Sequence, residues 1–237
     1  MKSRISVLVV DKSQTFSMYL ALLLHRMGFK SLRVDDYETA KEILSRGIID
    51  ILIVGDQGED EPIFAIIKHL APCVDGALVP IIAISKSSDP TYKTACFQSG
   101  CHSYLLKPIQ PRQLHEALYE KLTPPSERRT SLRCRVNLEA ELSIEKDVIE
   151  LFQVESLSKG GALVSCEKQI PIGSELTINI MINDKRINLT SKVVYMHNAG
   201  DFDHYNIGVS FIDIDNKTED LIDKFIEKTL TNSTSLY

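Results

Sequence analysis

The sequence predicts two domains, an α/β doubly wound five-strand parallel sheet over residues 1–122 and a small antiparallel β-barrel with a C-terminal helix over 136–237. Three observations predict them. The first half alternates short apolar runs with amphipathic stretches, as βα units do. Thr123–Pro124–Pro125–Ser126 then breaks the pattern, since proline cannot continue a helix. Beyond it come short strand-like runs separated by turn residues. A length of 237 residues suits two ordinary domains.

Ile5–Val10 is a continuous apolar run, the signature of a strand buried on both faces. From Ser13 to Gly28, Phe16, Leu20, Leu23, Leu24 and Met27 recur at helical spacing, with Ser13 as N-cap and Gly28 as C-terminal stop. Ser31–Val34 and Tyr37–Arg46 make the second strand and helix, and Ile51–Val54 and Ile63–Leu70 the third pair. Val79–Ile84 with Pro90–Ser99, and Ser103–Leu106 with Gln110–Leu122, complete five units.

Residues 123–135 read as a linker and arginine-rich hinge. The strands expected beyond it are Val136–Ser143, Val148–Glu155, Gly161–Ser165, Glu175–Ile182, Ile187–Met196 and Tyr205–Phe211. A closing amphipathic helix carries Leu221, Ile222, Phe225, Ile226 and Leu230 on one face.

Charge is unevenly divided. Residues 1–122 hold 14 Lys and Arg against 14 Asp and Glu, whereas 136–237 hold 9 against 17. Between them, residues 126–135 carry four arginines and one glutamate. An acidic body excludes general nucleic-acid binding, which needs a broad basic face, and leaves one cationic spot suited to a small anion. No apolar run nears the roughly 20 residues of a membrane span, and the apolar stretch before Asp11 is too short for a signal peptide. Five scattered cysteines point to a reduced, cytoplasmic setting. Cys96 and Cys101 with His102 lack the spacing of a structural zinc site, so no metal site is expected. No nucleophile motif accompanies the six histidines, and no phosphate-binding glycine loop is present, so no catalytic residues and no enzyme activity are expected.

The segments VLVVDKS, DILIVG, PIIAIS and YLLKP, in that order, resemble the receiver domains of bacterial response regulators over residues 4–122. The resemblance implies an acidic pair holding magnesium after the first strand and a phosphoryl-accepting aspartate after the third. It also implies a Ser/Thr after the fourth strand and Lys-Pro after the fifth. The matching positions here are Asp11 and Lys12, Gly55, Ser85, and Lys107 with Pro108. Gly55 has no carboxylate to accept a phosphoryl group, and Lys12 brings an ammonium where magnesium needs hard oxygens. Asp56 follows the acceptor position, and strand alternation is expected to turn it away. The expectation is a pseudo-receiver that cannot be phosphorylated. Asp11 and Lys107 should form a salt bridge, and Lys12 can pair with Asp11 or Asp56 in place of a metal's charge. Self-association or partner docking through the fourth and fifth helices, within Asp89–Gln98 and Gln110–Leu122, is implied by the resemblance.

The segments ERRTSLRCRVNLEAELS and VESLSKGGALVS together resemble the PilZ family, small barrels that bind cyclic di-GMP. The family signature is RxxxR ahead of the barrel and (D/N)xSxxG between two strands. Arg129 and Arg133 match the first element, and Ser158 and Gly161 the second, with Gly160 beside them. Ser156 departs, standing where the family has Asp or Asn toward guanine's Watson–Crick edge, and one hydroxyl cannot make a two-pronged contact. Glu155 is adjacent, but alternation is expected to turn it away.

The residue chemistry fits the same ligand independently. Arginine's planar fork suits phosphates and the guanine Hoogsteen edge. Extended, Arg129 and Arg133 stand roughly 13 Å apart, enough to grip a dinucleotide from two sides. Ser158, Gly160 and Gly161 can present a hydroxyl and backbone amides to a phosphate. Arg128 and Arg135 are expected to support rather than touch the ligand. The predicted protein is thus a non-enzymatic bacterial signalling effector that binds cyclic di-GMP, needs no cofactor and, on capturing the ligand, orders its hinge. Its rival is a PilZ-like interaction module that has lost the nucleotide. A phospho-switch at Asp56 is disfavoured by Gly55 and Lys12.

Overall fold

A computed structural model of the protein describes residues 5–56, 58, 61–74, 79–122, 131–144, 147–198 and 205–232. The chain divides into two compact units, Met1–Arg129 and Thr130–Tyr237.

The first unit runs β1 (Ser6–Val10), α1 (Gln14–Arg26), β2 (Lys30–Val34), α2 (Tyr37–Leu44), β3 (Ile51–Val54) and α3 (Ile63–Val74). It continues with β4 (Ile81–Ser85), α4 (Pro90–Gln98), β5 (Ser103–Leu106) and α5 (Pro111–Leu122). The five strands form one parallel sheet in the order β2-β1-β3-β4-β5. The predicted doubly wound sheet is present. β3 and β4 are buried along their whole length because helices cover both faces, which is why they read as unbroken apolar runs. Helix starts follow their caps: Ser13 Oγ accepts from Phe16 N–H, and Asp36 Oδ1 from Thr39 N–H at 2.8 Å. Sequence order reverses at β1, which lies between β2 and β3. In such sheets the crevice at the carboxyl ends of those strands is where side chains from separate loops meet. Asp11 and Gly55 follow β1 and β3 directly.

The second unit is a closed antiparallel barrel followed by a helix, again as predicted. Its strands are β6 (Arg133–Ile144), β7 (Asp147–Ser158), β8 (Gly161–Cys166), β9 (Glu175–Ile182), β10 (Lys185–Asn198) and β11 (Tyr205–Phe211), in the order β10-β11-β8-β7-β6-β9. Inward residues such as Cys134, Leu142, Val154, Leu157, Val164, Ile180 and Val193 are almost wholly buried. Helix α6 (Asn216–Thr231) lies against β6 and β7 and buries Ile222, Ile226 and Leu230. Its N-cap is Asp215, whose carboxylate accepts from Thr218 N–H at 2.9 Å.

One boundary differs from expectation. The strand predicted to start at Val136 starts at Arg133, so Arg133 and Arg135 stand in a ladder rather than a hinge. Buried Cys134 between two half-buried arginines is the period-two alternation of a strand with one wet face. Among the described residues, no helix is long and apolar enough to cross a membrane.

Candidate functional site

In the first unit, the crevice holds four polar side chains. Buried Asp11 receives Lys107 Nζ at 2.9 Å on Oδ2 and the Ser13 N–H at 2.7 Å on Oδ1. Lys107 Nζ also lies 3.0 Å from Asp56 Oδ2 and 3.7 Å from the centre of the Phe16 ring, a cation–π distance. Ser85 Oγ donates to Asp56 Oδ1 at 3.2 Å. The expected Asp11–Lys107 salt bridge is therefore present. Tyr104 and Tyr92 stand nearby, their hydroxyls held above the ordinary tyrosine pKa by burial. Tyr104 OH donates to the Ser87 carbonyl at 2.7 Å.

Two expectations are corrected. Asp56 was expected to turn away, yet it faces the crevice, because β3 ends at Val54 and the alternation of a strand no longer governs position 56. Lys12 was offered as a partner for Asp11 or Asp56 in place of a metal's charge, beside the expected Asp11–Lys107 salt bridge. It is exposed, and among the described residues it makes no ion pair; Lys107 bridges both carboxylates instead. Gly55 sits so close to Asp11 that a Cβ at position 55 would collide with Asp11 Oδ2. The remaining donors do not suit magnesium, which demands near-octahedral oxygen ligands. An ammonium already stands between the two carboxylates, and among the described residues no three His, Cys, Asp or Glu side chains gather to hold a metal ion.

In the second unit, strand register builds a continuous outer face. Arg133 pairs with Ser158 and Arg135 with Ser156 across β6 and β7. Ser158 pairs with Gly161 and Ser156 with Leu163 across β7 and β8. The same rows continue to Ser210 and Gly208 on β11, and Gly208 faces Tyr195 on β10. Cys134, Leu157, Ala162 and Val209 lie between these rows and point inward. Arg133, Ser156, Ser158 and Gly161 thus come together. Gly160 is the exposed turn residue between Ser158 and Gly161, and its carbonyl accepts from Phe211 N–H at 3.0 Å. Arg128 and Arg129 lie outside the described residues.

The details refine the roles. Ser158 is buried and its Oγ donates to the Gly161 carbonyl at 3.0 Å, so its hydroxyl braces the turn. Gly161 is required by packing, because a Cβ there would strike the Val209 carbonyl. Lys159 in the same turn pairs with Glu219 of α6 at 2.8 Å, and that hydrogen bond raises the pKa of its ammonium.

Sequence reasoning missed two residues on this face. Arg135, read as a flanking charge, stands directly opposite Ser156. Tyr195 lays its ring against Gly208, where a Cβ would collide with it, and its centroid is 5.3 Å from that of His197. A glycine inside a strand opposite an aromatic is the signal that would have found it. A cleft of about 490 Å³ lined by Asn183, Asn216, Lys217, Asp220, Leu221 and Lys224 contains none of the predicted ligand residues.

The fold and these sites define a two-domain protein, with a receiver-type sheet followed in the chain by an arginine-bearing barrel. Residues 7–119 match the response regulator receiver domain and residues 127–228 match the PilZ domain, one in each half of the chain. Receiver and PilZ domains are not enzymatic folds, and PilZ domains typically bind cyclic di-GMP. Among curated proteins, the chain is 30% identical over 114 residues to the transcriptional regulatory protein GltR of Pseudomonas aeruginosa, covering 46% of this chain and 45% of that protein. It is 26% identical over 109 residues to the two-component response regulator ORR7 of Oryza sativa, covering 46% and 52%. The chain thus spans about half the length of these two relatives. Among solved structures, the chemotaxis protein CheY4 of Vibrio cholerae matches at 21% identity and a TM-score of 0.46, over 51% of this chain and all of that one. The Bacillus subtilis inhibitor of motility MotI/DgrA matches at 17% identity and a TM-score of 0.41, over 47% and 58%.

Proposed function

We propose that the protein is a non-enzymatic bacterial effector that binds cyclic di-GMP on the outer face of its barrel. One observation carries the reading: strand register gathers Arg133, Arg135, Ser156, Ser158 and Gly161 on one surface, immediately after Arg128 and Arg129 in the chain. Arginine forks bind phosphate and guanine's O6 and N7 in pairs of hydrogen bonds. Tyr195, at the end of the same row, offers a ring on which a base can stack. Calorimetric titration of the full chain with cyclic di-GMP tests it. The wild type is expected to bind at micromolar ligand and the Arg129→Ala/Arg133→Ala variant to lose binding. A wild type that evolves no heat refutes the reading and favours the rival, an interaction module that has lost its nucleotide, for which Ser156 is the supporting observation.

The receiver-type unit, in this reading, is not switched by phosphorylation. Gly55 supplies no carboxylate, and Lys107 already forms ion pairs with both Asp11 and Asp56. Incubation with acetyl phosphate and magnesium is expected to leave the domain unlabelled, and labelling at Asp56 overturns this part. Its remaining role is self-association or docking through the surface that includes α4 and α5, where Phe97 and the neighbouring Leu106 of β5 are each 42% exposed. Sedimentation of wild type against Phe97→Glu measures it.

A further inference from the structure

We propose that Glu155 reads the Watson–Crick edge of a guanine base, taking over what Ser156 is too short to do. The inference rests on the cyclic di-GMP reading above and names the residue that sets its base selectivity. Strand alternation argues against Glu155, but β7 does not alternate there. Val154 and Leu157 both point into the barrel, fully buried, and pair with Val164 and Ala162 of β8. Between those partners β8 has one outward residue, Leu163, whereas β7 has two, Glu155 and Ser156. Two residues opposite one is a β-bulge, a feature that re-aims side chains. Both therefore lie on the outer face, in the row that Arg135 enters from β6.

The two differ in reach. Ser156 is 7% exposed, whereas Glu155 is exposed and, among the described residues, its carboxylate makes no hydrogen bond or ion pair. A carboxylate accepts two parallel hydrogen bonds, and guanine's N1–H and N2–H offer two parallel donors on one edge. Adenine presents an unprotonated N1 on that edge and is repelled. A glutamate is one methylene longer than an aspartate, which makes up part of the offset between positions 155 and 156. Its negative charge belongs at the base, away from the phosphates that the arginines take.

The test is titration of the full chain with cyclic di-GMP, cyclic di-IMP, whose base lacks the 2-amino group, and cyclic di-AMP. Wild type should prefer cyclic di-GMP to both. Glu155→Gln should weaken cyclic di-GMP binding roughly tenfold to a hundredfold, the scale of one bidentate base contact, and cyclic di-IMP binding much less, so that the preference collapses. Glu155→Asp, which keeps the charge, should retain part of it. Binding of cyclic di-GMP within twofold of wild type in Glu155→Gln overturns the assignment. An equal loss for all three ligands marks a structural role and overturns it too. If the wild type binds no cyclic di-GMP, the functional reading itself fails, and this assignment with it.

Discussion

Replacing Gly55 with alanine adds one methyl group where Asp11 Oδ2 already stands. Backbone cannot easily yield, because Gly55 N–H donates to the Val10 carbonyl at 2.8 Å within the sheet's ladder. The Asp11 side chain must therefore move, losing Lys107 at 2.9 Å and the Ser13 N–H at 2.7 Å. Removing one partner of a buried ion pair costs about 3–5 kcal/mol; since Lys107 keeps Asp56, the expected loss is lower, roughly 2–3 kcal/mol. For a domain of this size that corresponds to a Tm about 6–12 °C lower. Calorimetry on the full chain should show the receiver-type unit melting earlier while the barrel's transition stays in place. Asp11→Ala/Gly55→Ala should cost less than the sum of the single changes, because removing the Asp11 carboxylate removes the collision. A Gly55→Ala protein within 0.5 kcal/mol of wild type, or strict additivity in the double variant, would refute the reasoning.

Other outcomes follow from the same geometry. Lys107→Met leaves two carboxylates facing each other without their shared cation, and urea melts should give a loss of about 3–5 kcal/mol. Burial pushes the Cys96 thiol up to about 11 and the Cys101 thiol up to about 12. Both are therefore protonated in the folded protein at pH 9 to 10, where the unfolded chain ionises, so stability falls as pH rises above about 9. The slope should approach 1.4 kcal/mol per pH unit for each thiol, and alkylation of the native protein at pH 8 should spare both. On the barrel, Tyr195→Ala should weaken cyclic di-GMP by about 1–3 kcal/mol and Tyr195→Phe much less, as stacking requires the ring and not its hydroxyl. Arg135→Ala should weaken the ligand roughly tenfold or more, which titration beside Arg133→Ala measures.

Much of the fold is legible in the sequence because its two units use opposite burial rules. β3 and β4, covered on both sides, read as unbroken apolar runs, and β9 alternates because one face is wet. The misreadings cluster where a local rule meets its limit. Arg133–Cys134–Arg135 has a strand's period, but two charges around a small residue look like a linker until the Ser156 and Ser158 partners are known. Asp56 was judged by the alternation of a strand that had already ended. Lys107 reaches Asp11 across 96 positions of sequence, so the resemblance to receiver domains brought that pair into view, whereas its second bond to Asp56 was not foreseen. The bulge at Glu155 leaves no mark in composition; it exists only as a mismatch between two strands.

The ring of Tyr195 against Gly208 also has a spectroscopic consequence. The chain contains eight tyrosines and no tryptophan, so ultraviolet emission comes from tyrosine without energy loss to an indole. Tyr195 stands on the barrel's outer face at the far end of the row that Arg135 begins, where a stacked purine would quench it directly. The protein thus carries its own optical probe. The part of the emission change on adding a nucleotide that vanishes in Tyr195→Phe reports occupancy of that face alone, with no label attached.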